Sequence, residues 1–120
     1  MKQTASAMYS FLSSFGLPVY VENYVPESQS FPYITYQLAK PDWQDRKSIF
    51  VRVWYRDTSY KAISEKVDEI EAAIDGGKTI PCGDGLLFLT KDANFCQFQP
   101  MEDDRIKVAY LSLILQVFKS

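Results

Sequence analysis

From residue 105 to 118 the chain alternates without a break. Ala109, Leu111, Leu113, Leu115 and Val117 fall on one side of an extended backbone, with Val108, Tyr110, Ser112, Ile114, Gln116 and Phe118 on the other. Successive side chains of a strand point to opposite faces, so the pattern describes one wholly apolar face and one mixed face. Such a strand belongs in the middle of a sheet, with helices covering its dry side only. Any fold open to the chain must therefore supply strands on both edges of this segment and an apolar layer above it.

The remaining segments supply both. Residues 2–15 carry Ala5, Met8, Leu12 and Phe15 at helical spacing, Phe11 widens the stripe, and Gly16 and Pro18 stop it. Ile63, Val67, Ile70 and Ile74 form a second apolar stripe, opposite a solvated face of Lys61, Glu65, Lys66, Asp68, Glu69 and Glu71. Thr58 or Ser59 is expected to cap this helix and Gly76-Gly77 to end it. Strands are expected at 19–21, 33–39 and 48–56, then at 79–82, 86–90 and 95–99, with a turn at Gly83-Asp84-Gly85. On 33–39 the apolar side is Ile34, Tyr36 and Leu38. On 48–56, Ile49, Val51, Val53 and Tyr55 alternate with a mixed face of Phe50, Arg52, Trp54 and Arg56. The expected fold is α+β, a single domain over 1–120 in the order α-β-β-β-α-β-β-β. Its sheet is mostly antiparallel, with two helices packed on one face.

With 47% hydrophobic and 23% charged residues among 120, the chain is expected to fold and not to stay disordered. Eight Tyr, eight Phe and two Trp exceed what one small core readily absorbs, so some rings should reach the surface, where aromatics mark protein contacts. A net charge of −2 gives no broad attraction for nucleic acid or anionic lipid. No run approaches the roughly 18 apolar residues of a membrane span. Residues 1–7 lack the pattern of an export signal, so the expected compartment is the cytoplasm, with Cys82 and Cys96 as reduced thiols.

The residues offer little for catalysis. Histidine is absent, which removes the commonest general base and metal ligand. Cys82 and Cys96 are too far apart for a Cys-x-x-Cys pair, and no zinc set can be completed. Gly76-Gly77-Lys78-Thr79 superficially matches the end of a phosphate loop, but it follows a helix where such a loop precedes one. Glu102-Asp103-Asp104 is expected to be a solvated connection or a negative lip that pairs with basic residues of a neighbouring subunit. Neither a cofactor nor a metal is expected, and no enzyme activity. Arg52, Trp54 and Arg56 have the composition of a protein contact surface; two arginines on an acidic domain make a poor groove for single-stranded nucleic acid.

Several stretches, taken in order, resemble a known family. Phe31-Pro32-Tyr33-Ile34-Thr35-Tyr36 follows a loop containing Val25-Pro26. Val51-Arg52-Val53-Trp54-Tyr55-Arg56 runs into Thr58-Ser59-Tyr60-Lys61-Ala62-Ile63, and a hydrophobic strand closes the chain. Over nearly its whole length the chain resembles the tail-terminator, or tail-completion, proteins of long-tailed bacteriophages and prophages, some of them described as minor capsid proteins. The resemblance implies a structural, non-catalytic role: a ring, usually of six subunits, that caps the tail tube, ends its polymerisation and joins tail to head. It implies as partners the chain itself, the tail-tube protein and a head-completion or connector protein. The implied location is the host bacterial cytoplasm during assembly and then the head–tail junction of the virion. Interface residues are expected at Arg52, Trp54, Arg56 and Tyr60, in the loop with Asp42, Trp43, Asp45 and Arg46, and at Asp103 and Asp104. The competing readings are another neck or connector protein and, in a different class, a small regulatory domain that binds a metabolite between sheet and helices.

Overall fold

Leu111, Leu113 and Leu115 are fully buried, as their alternation requires. A computed structural model of the chain describes residues 2–37, 46–83 and 85–119, with side chains from Ser6 to Phe118 within those ranges. Leu38 and Ala39 at the expected strand end, the loop residues Asp42, Trp43 and Asp45, Asp84 of the expected turn and the side chain of Ala5 lie outside what is described.

The elements are α1 (Lys2–Ser13), β1 (Val19–Val21), β2 (Tyr33–Tyr36), β3 (Arg46–Arg56), α2 (Lys61–Ile74), β4 (Lys78–Cys82), β5 (Gly85–Gln99) and β6 (Ile106–Lys119). They form an α+β fold. Its six strands make one sheet in the order β1-β2-β3-β6-β5-β4, antiparallel throughout except for the parallel pair β1–β2. The C-terminal strand lies between β3 and β5 because its apolar face needs neighbours on both edges.

Both helices lie on that apolar face. Ile63, Val67, Ile70 and Ile74 of α2 and Ala7, Met8, Phe11 and Leu12 of α1 join Ile34, Val51, Val53, Leu87 and Leu89 in one core with β6. Fully burying a Leu or Ile side chain is worth roughly 1.5–3 kcal/mol, so this layer dominates the fold's stability. Lys66 ties the helices together: its ammonium donates to the Phe15 carbonyl at 2.7 Å, just past the end of α1, and pairs with Glu69. A cation at a helix C-terminus is favoured by the helix dipole.

Three expectations are corrected in detail. Tyr60, and neither Thr58 nor Ser59, occupies the N-cap of α2; the Ser59 hydroxyl still accepts the Lys61 N–H at 3.0 Å. Strand β3 starts at Arg46, so Arg46 and Lys47 pair with Gln116 and Leu115 and are not loop residues. The segments 86–90 and 95–99 are one strand, β5, interrupted by a bulge between Lys91 and Cys96.

Gly76 and Gly77 end α2 at φ values of +78° and +101°. Around Gly76 there is open space, whereas a Cβ at Gly77 would stand 2.5 Å from Cζ of Phe88. Gly76→Ala should cost about 1–2 kcal/mol, the strain of a left-handed backbone alone. Gly77→Ala should cost about 1 kcal/mol or more beyond that, because the Phe88 ring must move as well. Urea denaturation of both variants measures the difference; equal losses would mean that the ring swings away freely.

Candidate functional site

The sheet face turned away from the helices carries every second residue of the strands, and their register sets these side chains in rows. Tyr33, Trp54, Val108 and Gln99 make one row; Tyr20, Thr35, Arg52, Tyr110 and Gln97 make the next; Phe50 and Ser112 begin a third. The first row is aromatic. Tyr33 stacks on Trp54 with centroids 5.8 Å apart and planes 17° from parallel, and Tyr20 and Phe31 approach Tyr33 at 6.4 and 5.2 Å. Trp54 donates its Nε1–H to Thr35 Oγ1 at 3.0 Å, which satisfies a buried hydroxyl and fixes the indole. Burial in this group raises the Tyr33 hydroxyl above its usual pKa.

Arg52 governs the second row. Its guanidinium forms an ion pair with Glu22 and lies over the Tyr110 ring, Cζ 4.4 Å from the centroid. The backbone N–H of Glu22 donates to the Tyr36 carbonyl at 2.9 Å, and this bond holds the residue after β1 beside the sheet. A cation held between a carboxylate and a ring face gains from both.

The third row ends in the bulge of β5. Lys91 pairs with Leu113 and Cys96 with Leu111, so Asp92, Ala93, Asn94 and Phe95 stand opposite Ser112 alone. Asp92 turns back onto the sheet. Its Oδ1 accepts the Ala93 N–H at 2.7 Å, and its Oδ2 accepts the hydroxyls of Ser112 at 3.1 Å and Ser48 at 3.4 Å. The Ala93 N–H and then the Ser112 hydroxyl hold this carboxyl below the ordinary carboxylate range. A cavity of about 200 Å³ opens here, lined by Phe50, Asp92, Asn94, Gln97, Tyr110 and Ser112.

Arg56 ends the same face of β3, and the remaining expected residues that are described, apart from Arg46 at its other end, gather near it. Arg56 reaches Asp103 at 3.9 Å, and Asp103 also accepts the backbone N–H and Nε–H of Arg105 at 3.0 and 3.4 Å. The Arg105 N–H is the main cause of the lowered pKa of Asp103. The Asp104 carbonyl accepts the Lys107 ammonium. Tyr60 sits at the same end of the sheet but on the helix side, edge-on to Phe98 at 5.1 Å, with Lys107 Nζ 4.7 Å from its ring centre. Arg52, Trp54 and Arg56 thus share a strand face with Arg46 and Phe50, and Tyr60 does not.

Sequence reasoning missed Glu22, Asp92 and Tyr110. The mixed side of the last strand pointed to Tyr110, and the break in alternation at Asp92-Ala93-Asn94 was the available sign of a bulge. Among the described residues no three His, Cys, Asp or Glu side chains gather to hold a metal, and no helix is long and apolar enough to cross a membrane. Neither Cys82 nor Cys96 forms a disulfide among the described residues. The Cys96 thiol is pushed up in pKa by burial and by the charges of Glu71 and Asp68, the reverse of an activated nucleophile. The outer edge of β5 beyond Leu89 has no strand partner among the described residues.

Two predictions follow from these contacts. A double-mutant cycle on Arg52→Ala and Glu22→Ala should give a coupling on the order of 1 kcal/mol, shrinking as salt is raised. An additive cycle would remove the pair as a stabilising unit. Asp92 and Asp103 have folded pKa values below those of the unfolded chain. Their stabilisation is therefore complete above the unfolded carboxyl pKa of about 3.9 and is lost as pH falls through the folded values. Asp92→Asn and Asp103→Asn should each flatten the acid limb of a stability–pH curve, and an unchanged limb in both would contradict this assignment.

No protein-family model, curated protein or solved structure matches this chain.

Proposed function

We propose that the chain is a structural, non-catalytic assembly protein of a phage or prophage. Its copies close into a ring, of six by the resemblance, on the end of a tail tube, end its polymerisation and present a surface to head-completion or connector proteins. The observation that carries this reading is the one-sided sheet. Two helices cover one face, while the other presents Phe50, Arg52, Trp54 and Tyr110 with no described layer above them. Exposed rings beside arginines are the composition of protein contact surfaces, and a persistent side-to-side contact closes a ring when its rotation permits.

The stretches that carry the resemblance support the reading by their placement. Tyr33–Tyr36 forms β2, and Val51 to Trp54 lie opposite it on β3, so the two motifs form one antiparallel unit beside the open face. Between sheet and helices the apolar core fills the centre, and the opening of about 420 Å³ between α1 and β4, lined by Ser6, Ala7, Ser10, Ile80, Pro81, Cys82 and Gly83, has no charged side chain in its lining to orient a metabolite.

Native mass spectrometry of the protein, alone and mixed with tail-tube protein, tests the proposal. The expected result is a closed oligomer in at least one of the two samples. Monomer in both would overturn it.

A further inference from the structure

We infer that the cavity beside the β5 bulge is a socket for one arginine side chain of a partner protein. The inference rests on the protein-docking part of the reading above and not on its tail-ring part. At about 200 Å³ the cavity is smaller than the roughly 300–1,000 Å³ of pockets that hold drug-sized ligands, and it suits a single side chain. Its lining is the chemistry that holds a guanidinium. Asp92 contributes a carboxylate, Asn94 and Gln97 contribute amide oxygens, and Phe50 and Tyr110 contribute rings.

The carboxylate is fixed in advance. Three donors, the Ala93 N–H and the Ser48 and Ser112 hydroxyls, hold it in place. Oδ1 accepts only one of them, so it keeps a free acceptor position among the described residues. Among the described residues Asp92 makes no ion pair; Arg46 on the same sheet face acts on it electrostatically without forming one. The side chains of Asn94 and Gln97 are exposed and make no hydrogen bond among the described residues. The chain already uses the same recognition one row away, where Glu22 and the Tyr110 ring hold Arg52. A planar fork of five donors matches a carboxylate flanked by amide oxygens and aromatic side chains, which a point-like ammonium does not.

The test is a titration of the ¹⁵N-labelled protein with N-acetyl-arginine amide, followed through backbone and side-chain amide signals. The neutral isostere N-acetyl-citrulline amide and N-acetyl-lysine amide serve as comparisons. Saturable shifts are expected at Phe50, Asn94, Gln97 and Ser112, with a dissociation constant on the order of millimolar. The citrulline probe should bind at least tenfold more weakly, the lysine probe several-fold more weakly, and Asp92→Asn should lose at least tenfold. Phe50→Ser, at an exposed position, should weaken binding several-fold and provides a second variant should Asp92→Asn fail to fold. Absence of saturable shifts at the socket, equal binding of the citrulline or lysine probe, or wild-type binding by either variant would overturn the inference. None of these outcomes bears on ring formation, which the mass measurement judges separately.

Discussion

The burial of one face of β6 organises the molecule. Ala109, Leu111, Leu113 and Leu115 have no exposed surface, and every other element is placed by what it adds to that burial. Strands β3 and β5 flank β6 and satisfy its backbone on both edges, while α1 and α2 provide the apolar layer. Net domain stabilities are only about 5–15 kcal/mol, and removing one such leucine costs roughly 2–5 kcal/mol, so this layer tolerates little change. The constraint is one-sided. Nothing in the packing dictates which residues stand on the reverse of β3 and β6, and that is where arginines, rings and hydroxyls collect.

What the reverse face can do depends on register. Arg52 meets Tyr110 because the two are paired across β3 and β6, and Trp54 meets Tyr33 because they are paired across β2 and β3. A slip by one residue would carry each of these groups into the core and bring Val51 and Val53 out. The apolar layer therefore fixes the polar face indirectly, by making every other alignment of the strands costly. Arg52 is held in a fixed setting between Glu22 and the Tyr110 ring, and a docking partner would meet a group that loses little freedom on binding.

Much of this is readable from the residues alone. The stripe Ile63, Val67, Ile70, Ile74 forms the buried side of α2, since helical spacing leaves that set no other arrangement. Alternation likewise separates Arg52 and Trp54 from Val51 and Val53, and the surplus of rings does reach the surface at Tyr9, Tyr24, Phe50, Tyr60 and Phe98. Less visible is whatever depends on pairing between distant segments. Strand β1 is three residues long and pairs in parallel with β2, a choice made by tertiary contact and not by propensity. Strand β5 looks like two strands because polar residues break its pattern. The meeting of Ser48, Asp92 and Ser112 follows from a register that no local pattern encodes, and Tyr60 departs from Arg52 and Trp54 because the turn into α2 carries it to the other side.

The bulge in β5 works as a change of phase. Before it, odd-numbered residues such as Leu87, Leu89 and Lys91 face the helices; after it, even-numbered Cys96 and Phe98 do, opposite Leu111 and Ala109. An odd surplus of residues exchanges the two sides of the strand, and this puts Gln97 and Gln99 on the open face while Cys96 stays against the core. Insertions and deletions at this point are thus filtered by parity. Gain or loss of two residues leaves the arrangement of 96–99 intact, and gain or loss of one turns that stretch inside out.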